Sequence, residues 1–253
     1  MRPTFGINPR LLPETGQYLS TILEKSKDFI NSATHTNPAR EVNRSLKLSE
    51  RMDCHLPLPN SNRGFPASQF IKTLILMQHE GSFHLNDVCN IQEDAALSAV
   101  LGLIQLPKAT TLGDWLRRYG NREGIQDASV KVNRAVLKSV LHRCKESTLD
   151  IDATEILSNK SEARWTHNKN KGFMPMVGHI AEIGQVVSID FRKGNVSPAQ
   201  NNLAFIEQCQ QSLPEGCTVN RLGIDAAGYQ TKIIQYCDEQ NISYAIRAKL
   251  VIQ

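Results

Sequence analysis

Two stretches decide the fold of this chain: T-L-D-I-D-A-T-E-I at residues 148–156 and R-L-G-I-D-A-A-G-Y-Q at residues 221–230. Each is a short apolar run that carries an aspartate where a β-strand would end. Apolar and acidic residues alternate strictly in the first stretch, as in a half-buried strand, so Asp150 and Asp152 point to the same face. Asp225 closes the second run. The pair predicts carboxylates from separate strands that meet at one metal site.

From residue 148 onward, the pattern predicts the order strand, strand, strand, helix, strand, helix, strand, with a polar, basic loop at residues 158–175. An antiparallel meander extended by parallel strands through helical crossovers is the ribonuclease-H-like topology. Its first and fourth strands are neighbours, which would bring Asp152 close to Asp225. The predicted strands are 149–154, 176–182, 186–191, 218–224 and 242–247, and the predicted helices are 197–212 and 228–240.

Residues 1–147 show helical spacing of apolar residues and no strand pattern. We therefore expect an α+β protein, with an all-helical region at 1–147 and a ribonuclease-H-like mixed-sheet core at 148–253. The predicted helices of the first region cover 17–30, 66–81, 85–91, 93–103, 111–119 and 125–144.

Charge is divided unevenly between these two parts. The whole chain carries 29 basic and 25 acidic side chains, and residues 1–147 hold 19 and 14 of them, a net +5, whereas residues 148–253 sum to −1. A basic front part suits a contact with nucleic acid. A solvated surface with a small excess of Lys and Arg is the alternative.

Six cysteines without a C-x-x-C pair indicate reduced thiols in a cytoplasmic protein. No run approaches the roughly 18 apolar residues of a membrane span, and the N-terminus lacks the apolar core of a signal peptide. We expect neither export nor a membrane partner.

Cations cluster after the T-T-L-G-D-W-L-R-R stretch at residues 110–118, which resembles a capped helix start. Clustered cations are what a phosphate-binding surface needs, because neutralising phosphates releases counterions. A solvated amphipathic helix is an equally good interpretation. The candidate DNA-binding residues are Arg117, Arg118, Arg122, Lys131, Arg134 and Lys138.

Two adjacent carboxylates without a cation raise each other's pKa, and a divalent metal removes the conflict. Mg²⁺ favours one or two carboxylates plus water and substrate phosphate. Each aspartate also has a purely structural interpretation. Asp225 could cap the following helix, and Asp152 could close the strand by accepting a local backbone N–H. Asp150 could replace Asp152 as the ligand, since both share a face.

Seven motifs in fixed order carry a resemblance over residues 62–249. They are N-R-G-F-P-A-S-Q-F-I, T-L-G-D-W-L-R-R, L-D-I-D-A-T, P-M-V-G-H-I-A-E-I-G-Q-V-V, G-N-V-S-P-A-Q-N-N, I-D-A-A-G-Y and Y-A-I-R-A-K. Together they resemble the DDE-type transposases of bacterial insertion sequences, in the first DDE-domain group.

The resemblance implies a core that holds Mg²⁺ (or Mn²⁺) through two aspartates and a glutamate. It implies nicking at the ends of the element and attack of the freed 3′-OH on target DNA. Asp152 matches the first aspartate of the family and Asp225 the second, with Asp150 as the fallback. The implied partners are the terminal inverted repeats, the target DNA and a second copy of the chain, in the cytoplasm and near the nucleoid.

The third acidic ligand departs from the family pattern. In the family, a glutamate follows the last core strand within a helix, whereas this sequence stops at L-V-I-Q, and neither Glu182 nor Glu239 matches it. We therefore expect a truncated transposase that is inactive alone. There are two alternatives. The chain could be a non-catalytic DNA-binding fragment that regulates transposition, or another ribonuclease-H-like nuclease.

Overall fold

The computed structural model describes residues 47–57, 59, 64–82, 84–92, 105–120, 124–141 and 146–248. The chain divides into two compact units, Met1–Val136 and Leu137–Gln253. The helices predicted at 17–30 and 93–103 lie outside the described residues.

Every regular element among the described residues before Thr148 is a helix, as the sequence predicted. Asp53 joins the first two of these helices, because its carboxylate accepts 2.7 Å hydrogen bonds from both the backbone N–H and the hydroxyl of Ser68 at the start of the second. The helices are α1 (Leu48–His55), α2 (Ala67–His79), α3 (Val88–Gln92, preceded by a 3₁₀ turn at Leu85–Asp87), α4 (Ala109–Tyr119) and α5 (Ile125–Leu141).

The core of the first unit is built on α2 and α4. Ile71 of α2 and Leu112 of α4 are fully buried, and the ring of Phe70 stacks on that of Trp115 with centroids 4.9 Å apart. Trp115 in turn contacts Tyr119, with ring centroids 5.9 Å apart. Trp115 is therefore a core residue.

From Thr148 onward, the described residues form two sheets and two α-helices. The larger sheet has the order β6-β5-β1-β7-β8, in which β6, β5 and β1 are antiparallel and β1, β7 and β8 are parallel. This is the ribonuclease-H-like arrangement that the sequence predicted. The strands are β1 (Thr148–Ala153), β2 (Ile156–Leu157), β3 (Arg164–Trp165), β4 (Lys171–Phe173), β5 (Met176–Ile180), β6 (Gln185–Asp190), β7 (Arg221–Ile224) and β8 (Ser243–Ile246), and the helices are α6 (Asn202–Ser212) and α7 (Thr231–Glu239).

One face of the large sheet packs against α6 and α7. Alternation along β1 sends Leu149 and Ile151 into this core. Cys209 of α6 lies in the same core, and its burial raises the pKa of its thiol. The opposite face of β1 carries Asp150 and Asp152. The other core side chains include Ile180, Phe205, Ile206, Leu222, Ile224 and Ile233.

Two sequence predictions about this unit were wrong. Residues 158–175 do not form a simple loop, because a second, three-stranded sheet of order β2-β4-β3 occupies that region. Helix α6 begins at Asn202 instead of residue 197. Residues 197–201 form turns that end at Asn201 in the left-handed conformation (φ 57°), and the helix follows.

Gly178 of β5 faces α6 and leaves no room for a side chain. A Cβ there would lie 2.6 Å from Sγ of Cys209 and 3.4 Å from Cδ1 of Leu149. We predict that Gly178→Ala lowers the free energy of unfolding by about 1–3 kcal/mol, the usual cost of overpacking a core. Denaturant unfolding measures it. Cys209→Ala should restore part of the loss in the double variant, and additive effects of the two substitutions would contradict the proposed clash.

Candidate functional site

Parallel pairing of β1 with β7 brings two aspartates together at one edge of the sheet. Ile151 is paired with Ile224, so the next residues, Asp152 and Asp225, leave adjacent strands side by side. Neighbouring strands lie about 4.8 Å apart. Both aspartates are exposed. The structure thus brings together the two carboxylates that the sequence separates by more than seventy positions.

Each of these carboxylates uses one oxygen in a local hydrogen bond. The backbone N–H of Ala153 donates to Oδ1 of Asp152, and that of Ala227 donates to Oδ1 of Asp225, both at 2.9 Å. The structural roles considered from the sequence are therefore real. They leave the second oxygen of each aspartate without a hydrogen-bond donor among the residues that the structure describes.

Asp225 is held by a turn that two amide side chains fix. The turn is the 3₁₀ segment Ala226–Gly228, and Nε2 of Gln230 donates to the carbonyl of Ala227 at 2.8 Å. Nδ2 of buried Asn202 donates to the same carbonyl at 3.3 Å. The sequence reasoning missed both amides, although each lies in or beside one of the motifs that carried the resemblance.

Asp150 lies two residue pairs further into the sheet. It is opposite Gly223 of β7 and His179 of β5, and Nε2 of His179 is 3.8 Å from Oδ2 of Asp150. A Cβ at Gly223 would lie 2.8 Å from Oδ1 of Asp150, so a larger residue there would make the Asp150 carboxylate turn aside. Asp150 shares the face of Asp152, but Asp152 is the residue level with Asp225.

Other acidic residues of the second unit lie elsewhere. Glu182 accepts hydrogen bonds of 2.9 and 3.0 Å from the N–H of Thr148, at the start of β1, about 13 Å of strand away from Asp152. Asp190 pairs with Met176 on the helix-covered face and binds Nε of buried Arg192 at 2.7 Å. Across the described residues, no three His, Cys, Asp or Glu side chains are grouped as a metal site.

Glu155, just after β1, organises the loop between β3 and β4. Its carboxylate accepts from the hydroxyl of Thr166 and from the amides of Asn170 at 3.0 Å and Asn168 at 3.4 Å. The Thr166 hydroxyl and the two amides outweigh the opposing effect of burial and lower the pKa of Glu155. Glu155 therefore has a structural role at the same edge of the sheet.

The candidate DNA-binding cations lie on α4 and α5. Arg117 and Arg118 are exposed, and Arg117 is paired with Asp114 through a 2.7 Å contact between Nη2 and Oδ1. The guanidinium of Arg118 lies 6.0 Å from the ring centroid of Tyr119. The exposed cations on α5 are Lys131, Arg134 and Lys138, and Arg122 lies outside the described residues.

Helices long and apolar enough to cross a membrane do not occur in the part of the chain that the structure describes.

Glu155→Gln tests the loop-organising carboxylate. Folding lowers the pKa of Glu155 from its usual value of 4.5. The stability that its ionised carboxylate contributes is therefore complete above pH 4.5 and is lost as the pH falls through the lower pKa of the folded state. We predict that the free energy of unfolding of the variant is about 1 kcal/mol lower than that of the parent protein at neutral pH. Thermal unfolding from pH 7 to pH 3 measures it, and the difference from the parent protein should shrink on acidification. A difference that is constant with pH would contradict the assignment.

Comparison with known proteins identifies the family. The model described as "Transposase DDE domain group 1" matches residues 38–250. Among solved structures, the magnesium complex of the HTLV-2 integrase catalytic core (trimeric form) is 14% identical with a TM-score of 0.27, and the match covers 40% of this chain and 58% of that one. The piggyBac transposase synaptic complex with hairpin DNA is 11% identical with a TM-score of 0.37, covering 90% and 47%. The Mos1 mariner paired end complex with Mn is 10% identical with a TM-score of 0.30, covering 87% and 71%.

The chain thus spans less than two thirds of the integrase and piggyBac chains that it matches. A search of curated proteins found no match. Since the family model covers most of the sequence, including both strands that carry the paired aspartates, the chain belongs to the transposase DDE domain group 1 family.

Proposed function

We propose that this protein is the transposase of a bacterial insertion sequence, an enzyme class that cuts DNA strands and joins the freed 3′-OH to target DNA, and that Asp152 and Asp225 supply two of the three acidic ligands that such a site uses. The observation that carries the proposal is the level placement of Asp152 and Asp225 on adjacent parallel strands. It is supported by the family to which the chain belongs.

The donor set suits Mg²⁺ or Mn²⁺. Asp152 and Asp225 have no ion-pair partner within the described ranges, so their charges would repel each other at this spacing unless a cation intervened. Each retains one carboxylate oxygen for a ligand, and hard divalent cations prefer carboxylate oxygen, water and phosphate. A bound metal would polarise the phosphate and activate the attacking oxygen.

The protein contributes orientation to this chemistry. The N–H groups of Ala153 and Ala227 fix one oxygen of each aspartate, so the remaining oxygens keep a defined direction. Gln230 and Asn202 hold the turn that carries the second aspartate. A site held in place before its ligand arrives loses less entropy on binding.

The proposed partners are the DNA ends of the element, the target DNA and a second copy of the chain, since transposition joins two ends. The exposed cations of α4 and α5 are the proposed phosphate contacts of the first unit. They comprise Arg117, Arg118, Lys131, Arg134 and Lys138, with Arg122 included from the sequence. We place the protein in the cytoplasm, associated with the nucleoid.

Asp152→Asn and Asp225→Asn test the metal site directly. We predict that each lowers the affinity for Mn²⁺ by about 100-fold or more, because each removes a charged ligand. Titration calorimetry measures it, and cleavage of labelled DNA with Mg²⁺ or Mn²⁺ measures the chemistry. Asp150→Asn should have a smaller effect, since Asp150 lies two residue pairs away from the paired aspartates.

Asp238→Asn, on α7, is the matched control and should bind Mn²⁺ as the parent protein does. Equal Mn²⁺ binding by the Asp152 and Asp225 variants and the parent would contradict the proposed site. DNA binding by a parent protein that binds no Mn²⁺ and cleaves nothing would instead favour a non-catalytic regulator.

A further inference from the structure

The three-stranded sheet β2-β4-β3 presents a large aromatic side chain to solvent. Trp165 of β3 is 68% exposed, whereas the second tryptophan of the protein, Trp115, is 7% exposed and packed in a core. An indole left open to water on a short strand contributes little to folding, because it buries little apolar area. Tryptophan is enriched at interfaces, where a partner covers its ring.

Lys171 stands directly opposite Trp165 in the pairing of β3 with β4. Residues opposite each other in an antiparallel pair have their side chains on the same face, about 5 Å apart at Cβ. The indole of Trp165 and the half-buried side chain of Lys171 therefore leave the small sheet next to each other on one face. This combination binds nucleotides, because the ring stacks on a base while the cation neutralises a phosphate.

Charge around this sheet contrasts with that of the rest of the second part of the chain. Residues 155–171 hold four of the ten basic side chains of residues 148–253 but two of the eleven acidic ones. Of those two acids, Glu155 is occupied by hydrogen bonds within the loop. The four cations are Lys160, Arg164, Lys169 and Lys171. A polyanion is the partner that complements this surface.

The sheet is anchored at the edge that carries the paired aspartates. Only Thr154 and Glu155 separate the end of β1 from the start of β2, so β2 begins within about 11 Å of Ala153. The N–H of Thr154 donates to the carbonyl of Pro175 at 2.9 Å, which ties the entry of this small sheet to its exit. The loop that follows Trp165 is fixed by Glu155, so the platform is held in place.

We infer that Trp165 and Lys171 form a platform for a DNA strand with unpaired bases, in which the indole stacks on a base and the ammonium group binds a neighbouring phosphate. This inference rests on the proposed function, in which DNA is the substrate. It adds which part of the DNA the platform binds, namely unpaired nucleotides close to the cleavage site. An aromatic ring can stack on any base, so the platform distinguishes unpaired from paired DNA and does not select a base sequence.

Trp165→Ala is the first test, with DNA affinity measured by fluorescence anisotropy in the presence of a chelator. The probes are a blunt duplex, the same duplex with a single-stranded overhang, and a single-stranded oligothymidine. We predict that the variant binds the two probes with unpaired bases about 5- to 150-fold more weakly and the blunt duplex equally well. Trp165→Phe should retain most of the affinity. Tyr244→Ala, an exposed aromatic residue on β8, should change nothing.

Intrinsic fluorescence gives a second measurement on the same proteins. Oligothymidine should quench the parent protein, through Trp165, and should leave Trp165→Phe unquenched because only buried Trp115 remains. Circular dichroism checks that each variant is folded. Equal affinity of Trp165→Ala and the parent for every probe would overturn the inference, as would a change in self-association without a change in DNA affinity.

Lys171→Ala tests the phosphate contact. We predict that the slope of log affinity against log salt concentration for oligothymidine becomes shallower by about 0.7, the value for one phosphate on a single strand. Lys232→Ala, an exposed lysine on α7, is the matched control and should not change the slope. An unchanged slope for Lys171→Ala would remove Lys171 from the platform.

These outcomes separate the inference from the proposed function. If Trp165→Ala binds every DNA probe as the parent protein does, while Asp152 and Asp225 still bind Mn²⁺, only the platform is overturned. A parent protein that binds none of the DNA probes would overturn both.

Discussion

The pairing of β1 with β7 is the interaction on which the candidate site depends. These strands are distant in sequence, and their register alone decides which residue stands beside Asp152. A shift by one residue would turn every side chain of a strand to the other face. Leu149 and Leu222 prevent it, because both are fully buried in the same core and would be exposed by such a shift.

Gly223 stands on the opposite, acidic face of the same strand pair. A Cβ at this position would lie 2.8 Å from Oδ1 of Asp150, so the glycine leaves the Asp150 carboxylate free to lie across the pair. The apolar face thus sets the alignment through packing, and the acidic face accommodates it. The geometry of the candidate site is therefore a consequence of core packing. The same packing that stabilises the second unit holds Asp152 beside Asp225.

The sequence predicted the large sheet well because its strands obey simple periodicity. Alternation of apolar and acidic residues over 149–153 follows from one buried face of the sheet, and the sequence records it directly. Asp152 and Asp225 could be selected for the same reason, since each ends such a run. Whether the two would meet required the topology, which the order of the predicted strands and helices indicated and the structure shows.

The small sheet could not be predicted, since its strands are two or three residues long and have no period to detect. It is held by contacts between residues far apart in sequence, such as Glu155 with Thr166 and the N–H of Gly194 with the carbonyl of Gly172. The same limit applies to residues 197–201. Their turn is stabilised by the amide of Gln230, which donates to the carbonyl of Ala199 at 2.8 Å, and no local pattern encodes that contact.

Electrostatics explains why an acidic edge and a cationic sheet occur next to each other. A site that uses carboxylates to act on DNA repels its own substrate, because the phosphates and the aspartates carry the same charge. A divalent cation offsets this repulsion only at the point where it binds. The cations between Lys160 and Lys171 extend the compensation along the approach to the site, on a segment attached directly to the strand that carries Asp152. Outside this segment, residues 148–253 hold more acidic than basic side chains, so the proposed DNA substrate would meet less repulsion along this path than over the remaining surface of the unit.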